Sequence, residues 1–233
     1  MKQHIHVLNA SSRSDTGITE ALAESLSWTQ GAPGVGFRCL TLADGPAGIS
    51  TARDSARAAP AVIAHVEAHA DDPGCAGFIV ACFSDPGVIE AREATAKPVV
   101  GIGAAGMFSA LSLGERFGTI GVSVGSERKV GRQVRQLGLA GVWAGHRALG
   151  LDYADLQHPD RLEQALLRAG GELCASDGAD VILFAGAGLG HHVGPLSRAL
   201  NVPVVDPTQA AAGIVLATVQ ATLPSAVEKE TPR

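Results

Sequence analysis

Cys82 is the residue of this chain best placed to do chemistry. Residues 78–87 read FIVACFSDPG, a buried apolar run that delivers a single thiol to a loop opening a helix. The carboxyl end of a parallel-type strand is where open α/β sheets bind ligands, and a helix start beside a thiol favours the thiolate. Cys82 is therefore read as the reactive centre. The remaining cysteines, Cys39, Cys75 and Cys174, form no CxxC and fit no zinc knuckle. All four are read as free thiols, with Cys39 and Cys174 as small buried hydrophobes.

An internal echo supplies the other half of a site. GFIVACFSDPGVIEAREATAKPVVGI (77–102) and DVILFAGAGLGHHVGPLSRALNVPVVDP (180–207) share one plan: buried strand, loop, helix, then a PVV strand. Matching Pro98 with Pro203 sets Cys82 against Ala187, while matching the strand ends sets it against Gly186. Two lobes that face each other would turn both loops into one cleft. An enolate or carboxylate held there needs fixed hydrogen-bond donors. The candidates are Asn9, Ser11 and Ser12 at the end of the first strand, Ser84 just beyond the thiol, and the backbone of Gly186, Ala187 and Gly188. Simple helix capping is the competing reading of the serines.

The elements that must position these residues alternate regularly. Strands are expected at 5–9, 35–42, 77–81, 98–102, 117–122, 143–149, 180–185 and 202–206. Helical windows fall near 17–28, 54–70, 86–96, 105–115, 127–137, 160–176, 192–200 and 208–222. This rhythm predicts an α/β fold of two pseudosymmetric Rossmann-like lobes, each a mainly parallel sheet flanked by helices, with the site in the cleft between them. Lobe 1 is expected over 1–100, with segment 207–233 packing back on it, and lobe 2 over 101–206.

Composition narrows the partners. A net charge of −5 with no Lys/Arg run speaks against nucleic acid. The sequence has no apolar stretch long enough to span a membrane, and MKQHIHVLNASS enters a strand without a secretory pattern. A cytoplasmic enzyme of a small-molecule anion is the expectation.

The motifs then converge on a family. NASS (9–12), GPAGIS (45–50), ACFSDPG (81–87), PVVGIG (98–103), RFGTIGV (116–122) and VPVVD (202–206) together resemble the aspartate/glutamate/hydantoin racemase superfamily, and within it the hydantoin and allantoin racemases. The resemblance spans nearly the whole chain. It implies an active site between two lobes, no metal, no organic cofactor, and a homo-oligomer. It also implies carbon-acid chemistry: a proton leaves the carbon beside a carbonyl and returns to the opposite face, which takes two acid/base groups flanking the substrate.

The second group is where this chain departs. Hydantoin racemases carry a second cysteine in GCAGM, and the matching position here is Gly186 in AGAGLGHH (185–192). Ala104 stands where this branch commonly has Glu. Three readings remain open. His191 or His192 supplies the second relay, since imidazole titrates near neutral pH, giving a racemase or epimerase; the bland alternative is a solvated pair at a helix start. Or Cys82 works on one face only, as in the cofactor-free decarboxylases of the superfamily, whose surviving thiol lies in the second lobe. Or Cys82 is a nucleophile of a cis-trans isomerase or ring-modifying enzyme. A catalytically lapsed ligand-binding protein is the non-enzymatic possibility.

Several other patterns are assigned no role. GIGAAG (101–106) fits GxGxxG, but no acidic residue ends the next strand to hold a ribose. His65 and His69 share a helical face, yet HVEAH is not HExxH and no third ligand is evident, so a solvated face is expected. His4 and His6 point to one face of the first strand. Arg132 and Arg135 are read as surface charge on a helix, and Asp85 as the cap of a helix starting at Pro86.

Overall fold

Parallel strands covered on both faces read as continuous apolar runs, and CAGFIV (75–80) and VILF (181–184) here do so. The computed structural model describes residues 3–14, 17–29, 34–151 and 158–222; residues 223–233 of the expected C-terminal segment lie outside them. The first sheet holds β1 (Gln3–Asn9), β2 (Val35–Thr41), β3 (Cys75–Val80) and β4 (Val99–Gly101) in the order β2-β1-β3-β4. The second holds β5 (Phe117–Gly121), β6 (Trp143–Ala148), β7 (Val181–Phe184) and β8 (Val204–Val205) in the order β6-β5-β7-β8. Every pairing is parallel. The two orders are the same, so the echo seen in the sequence is an echo of topology, and the expected two-lobed α/β architecture is the one observed.

The helices are α1 (Ile18–Ser25), α2 (Ala52–Ala68), α3 (Val88–Glu93), α4 (Ile102–Leu111), α5 (Ser126–Gln136), α6 (Pro159–Asp177), α7 (Val193–Leu200) and α8 (Pro207–Thr222). No helix among the described residues is long and apolar enough to cross a membrane. Phe78, Phe117 and Phe184 are fully enclosed under these helices, each worth about 2–3 kcal/mol of burial. α2 begins at Ala52 because Thr51 and Asp54 form a reciprocal capping box, with Asp54 N–H donating to Thr51 Oγ1 at 3.2 Å and Thr51 N–H to Asp54 Oδ2 at 2.9 Å.

α4 joins the lobes. Its Ile102 and Ala105 pack into the core of the first sheet with Ile5, Val7 and Ile79, while Met107 and Ala110 pack with Phe117, Val181 and Leu183 of the second. A Cβ on Gly106 would come within 2.8 Å of Leu183 and 2.9 Å of Pro207, and one on Gly103 would collide with the carbonyl of Phe83. Gly103 and Gly106 of GIGAAG therefore serve close packing inside α4, not a phosphate loop. The helix starts at Ile102, earlier than the expected 105. α8 returns to the first sheet, where Ala211, Ala212, Val215 and Val219 join the core with Ile5 and Ile79.

The two strand-end loops interlock across the boundary. Phe83, next to Cys82, is buried in the second lobe's core with Phe117, Val181 and Val205. Ala187, next to Gly186, packs against the first lobe's core. This reciprocal insertion sets the two loops relative to each other.

One buried imidazole gives the fold an acid limit. His146 on β6 is 7% exposed, with Nε2 2.7 Å from Ser126 Oγ and Nδ1 3.0 Å from Thr119 Oγ1. Burial first, then the charges of Lys129 and Arg147, lowers its pKa from 6.5 to about 4. The unfolded chain thus takes up this proton first as pH falls, so the stability is present above about 6.5 and lost towards pH 4. His146 contributes a loss on the order of 2 kcal/mol between pH 7 and 4.5 beside those of His6 and His65, which burial also lowers to about 4, and in urea unfolding His146→Gln should reduce the slope by that share. An unchanged slope in the variant would contradict this assignment.

Candidate active site

Cys82 follows the buried β3 and is half-buried in the loop that leaves the sheet. A hydrogen bond from Asp85 N–H to the Cys82 carbonyl at 2.9 Å closes a turn. The expected helix at Pro86 is the short α3, beginning only at Val88. The partner of the thiol is instead a hydroxyl. Cys82 Sγ lies 3.4 Å from Ser84 Oγ, which accepts a hydrogen bond from Ser55 Oγ of α2 at 3.0 Å. With Ser55 donating, the Ser84 proton is free to point at the sulfur.

Asp85 does cap a helix, but a different one from the expected. Its carboxylate accepts from Gly103 N–H and Ala104 N–H at the start of α4, both at 2.8 Å, and from Gln133 Nε2 of α5 at 2.8 Å. Desolvation pushes its carboxyl up to about 7, opposed by the N–H donors of Ala104 and Gly103 and by Gln133. Asp85 itself sits at φ 48, a left-handed conformation, held by these bonds. The signal was in the echo. Matching Pro98 with Pro203 sets Gly101 against Asp206, and Asp206 Oδ1 caps α8 in the same way through Thr208 N–H (2.8 Å) and Gln209 N–H (2.9 Å). A Cβ on Gly101 would fall within the Asp85 carboxyl group. Lobe 1 thus lacks a carboxylate at the strand end and takes one from the thiol's own loop. Asp85→Ala should cost about 2–4 kcal/mol in urea unfolding and lower turnover with it; wild-type stability in that variant would remove Asp85 from this role.

The β1 loop is built around Asn9. Its Oδ1 accepts from Ser11 N–H (3.2 Å) and Ser11 Oγ (2.9 Å), and its Nδ2 donates to the Arg13 carbonyl (3.3 Å). Asn9 and Ser11 are 4% and 8% exposed, so these two side chains shape the loop and satisfy each other. Ser12 N–H donates to the Pro46 carbonyl at 2.9 Å. Gly45 lies directly against Ala10, with no room for a Cβ, which explains why NASS and GPAGIS occur together.

At the end of β7 the geometry is open. A Cβ on Gly186 or Gly188 would meet nothing within 4 Å, and Gly188 has φ 91. The two histidines diverge. His191 Nε2 lies 3.2 Å from Glu24 Oε2 on α1, across the lobe boundary, with both side chains exposed. His192 sits in a crevice with Glu163, Leu166 and Pro195, between α6 and α7, where burial and then the His191 charge lower its pKa. Asp206 Oδ2, nearby under Gly190, is buried with no hydrogen-bond partner among the described residues, and burial raises that carboxyl. A larger crevice of about 300 Å³ opens beside the thiol loop, lined by Ser55, Ser84, Asp85, Lys129 and Arg132. Arg132 thus faces a recess at the thiol loop while remaining exposed. Ser84 is the residue shared by this recess and the sulfur.

Comparison with known proteins gives this geometry a context. Residues 5–215 match the sequence model of the Asp/Glu/Hydantoin racemase family. A hydantoin racemase of Rhizobium meliloti is 31% identical over 209 residues, covering 89% of this chain and 85% of its own. An allantoin racemase from Pseudomonas fluorescens superposes with a TM-score of 0.86 at 26% identity, covering 99% of this chain and 97% of that one. Arylmalonate decarboxylase shares the fold alone, at TM-score 0.62 and 18% identity over 94% of this chain and 93% of its own. The chain belongs to the Asp/Glu/hydantoin racemase family, whose hydantoin and allantoin racemases are isomerases.

Proposed function

We propose that this protein is a cofactor-independent enzyme of carbon-acid chemistry that moves a proton at one face of a small hydantoin-like or amino-acid-derived anion, with Cys82 as the acid and base. The observation that carries this reading is the asymmetry of the two strand ends. After β3 stands a half-buried thiol 3.4 Å from a hydroxyl; after β7 stands Gly186, with open space where a side chain would be. The thiolate takes the proton from the carbon beside the carbonyl and the electron pair moves onto the carbonyl oxygen; return of a proton to the same face is exchange without net change, so product forms where the proton comes back from the other face or where carbon dioxide has left that carbon and the thiol protonates the enolate. Ser84, the Ser12 hydroxyl and the backbone at Gly186, Ala187 and Gly188 supply donors for the enolate oxygen, while Asn9 and Ser11 hold the β1 loop in shape. With one thiol, loss of carbon dioxide followed by protonation runs through the same intermediate.

Two-sided racemisation is the second reading, and one observation favours it. His191 is oriented by the Glu24 carboxylate from the opposite lobe, as a relay imidazole needs to be. His192 instead faces the crevice beside α6. Incubation in deuterium oxide with 5-substituted hydantoins, allantoin and arylmalonates, followed by NMR and polarimetry, tests the reading. Exchange at the acidic carbon or single-site labelling of a decarboxylated product is expected. Binding of these compounds with neither outcome would make the protein a sensor and overturn the proposal.

A further inference from the structure

Three histidines converge on the flank of lobe 1, far along the sheet from the thiol. His6 lies in the middle of β1 and pairs with Phe78 of β3, four residues before Cys82, about 13 Å at strand spacing. It is 3% exposed, which is rare for a histidine with no ionic partner. His65 and His69, one helical turn apart on α2, cover it. The face expected to be solvated is instead laid over β1, and β1 supplies the third imidazole that the HVEAH pattern alone lacks.

The three rings are close enough to share one ion. His6 Nδ1 and His65 Nε2 are 3.1 Å apart, close to the roughly 3.3 Å between neighbouring nitrogens of a tetrahedral zinc site with bonds near 2.0–2.1 Å. One ring nitrogen from each of the three lies within 4.8 Å of the other two. His69 Nδ1 is 2.8 Å from the His65 carbonyl; a carbonyl only accepts, so Nδ1 carries the proton and Nε2 keeps its lone pair. This backbone bond is the usual way a metal-binding histidine is oriented. Phe78 closes the floor, edge-on to His6 at 5.8 Å. Burial, followed by the neighbouring imidazoles, lowers the pKa of His6 and His65 to about 4. Arg38 of β2 and His4 of β1 oppose positive charge here, and Asp72 beyond α2 favours it.

We propose that His6, His65 and His69 form a binding site for one divalent transition-metal ion, zinc being the best match to three imidazoles, with water completing the tetrahedron. The site pins α2 to β1 and takes no part in the proton transfer, so it stands independently of the function proposed above.

The test uses the full chain, stripped with a chelator and dialysed, titrated with zinc chloride by calorimetry and followed by thermal unfolding. One equivalent per chain is expected, with the melting temperature raised by about 5–10 °C at a hundredfold excess over Kd. His69→Gln, at a partly exposed position, should fold and weaken binding at least about 100-fold. Cys82→Ser should keep the full equivalent, which separates this site from the free thiols. Cobalt in place of zinc should give the intense visible bands of a tetrahedral ion in the wild type and lose them in His69→Gln. Absence of binding at 100-fold excess of zinc over protein, an unchanged equivalent in His69→Gln, or its loss in Cys82→Ser would each overturn the proposal.

Discussion

Cys82→Ser is expected to lower kcat by about 10³-fold or more while leaving the fold and ligand binding in place. The magnitude follows from the size of acid–base contributions, about 10²–10⁴, and from the chemistry of the replacement. A serine hydroxyl does not ionise near neutral pH, so it cannot take the substrate proton. It is nonetheless close to a thiol in shape and still hydrogen-bonds Ser84, which retains its bond from Ser55 at 3.0 Å. The neighbouring anchors, Phe83 in the second core and Asp85 on α4, are untouched. The unfolding free energy should therefore change by less than about 1 kcal/mol. A variant with more than about a tenth of wild-type turnover would exclude the thiol as the proton carrier.

Gly186→Cys is expected to open the second face. The glycine has no positive φ and its missing side chain would meet nothing within 4 Å, so the substitution is free of strain and collision. A thiol there stands at the end of β7 as Cys82 stands at the end of β3. Exchange at the carbon acid should then proceed with inversion, raising the rate of racemisation at least about 100-fold over the wild type. Loss of optical rotation measured alongside deuterium uptake checks this. Exchange that still proceeds with retention would mean that the two strand ends do not face one substrate.

The strands and the lobes were legible because buried parallel strands leave unbroken apolar runs, and because the repeat of PVV after each buried strand betrays the repeated unit. The site was legible only in part. Asp85 looks local, a cap directly before a helix expected at Pro86, yet its partners are 18, 19 and 48 residues away. Period and composition identify a cap, not the helix it serves. GIGAAG resembles a phosphate loop because glycine pattern does not separate backbone approach to a ligand from backbone approach to another lobe. His65 and His69 look solvated because their cover is His6, 59 residues before His65 in sequence and adjacent only once β1 lies under α2. Ser55 was missed for the same reason. In each case the missing information is which element packs on which, and no local signal carries it.

Enantiomer discrimination in deuterium oxide tests the central claim most directly. Each pure enantiomer of one 5-substituted hydantoin is incubated with the wild-type protein, and deuterium uptake and optical rotation are followed separately. A single working face predicts that one enantiomer exchanges at least about 100-fold faster than the other, with its rotation retained. Equal exchange of both, with rotation lost as fast as deuterium enters, would contradict a one-sided thiol.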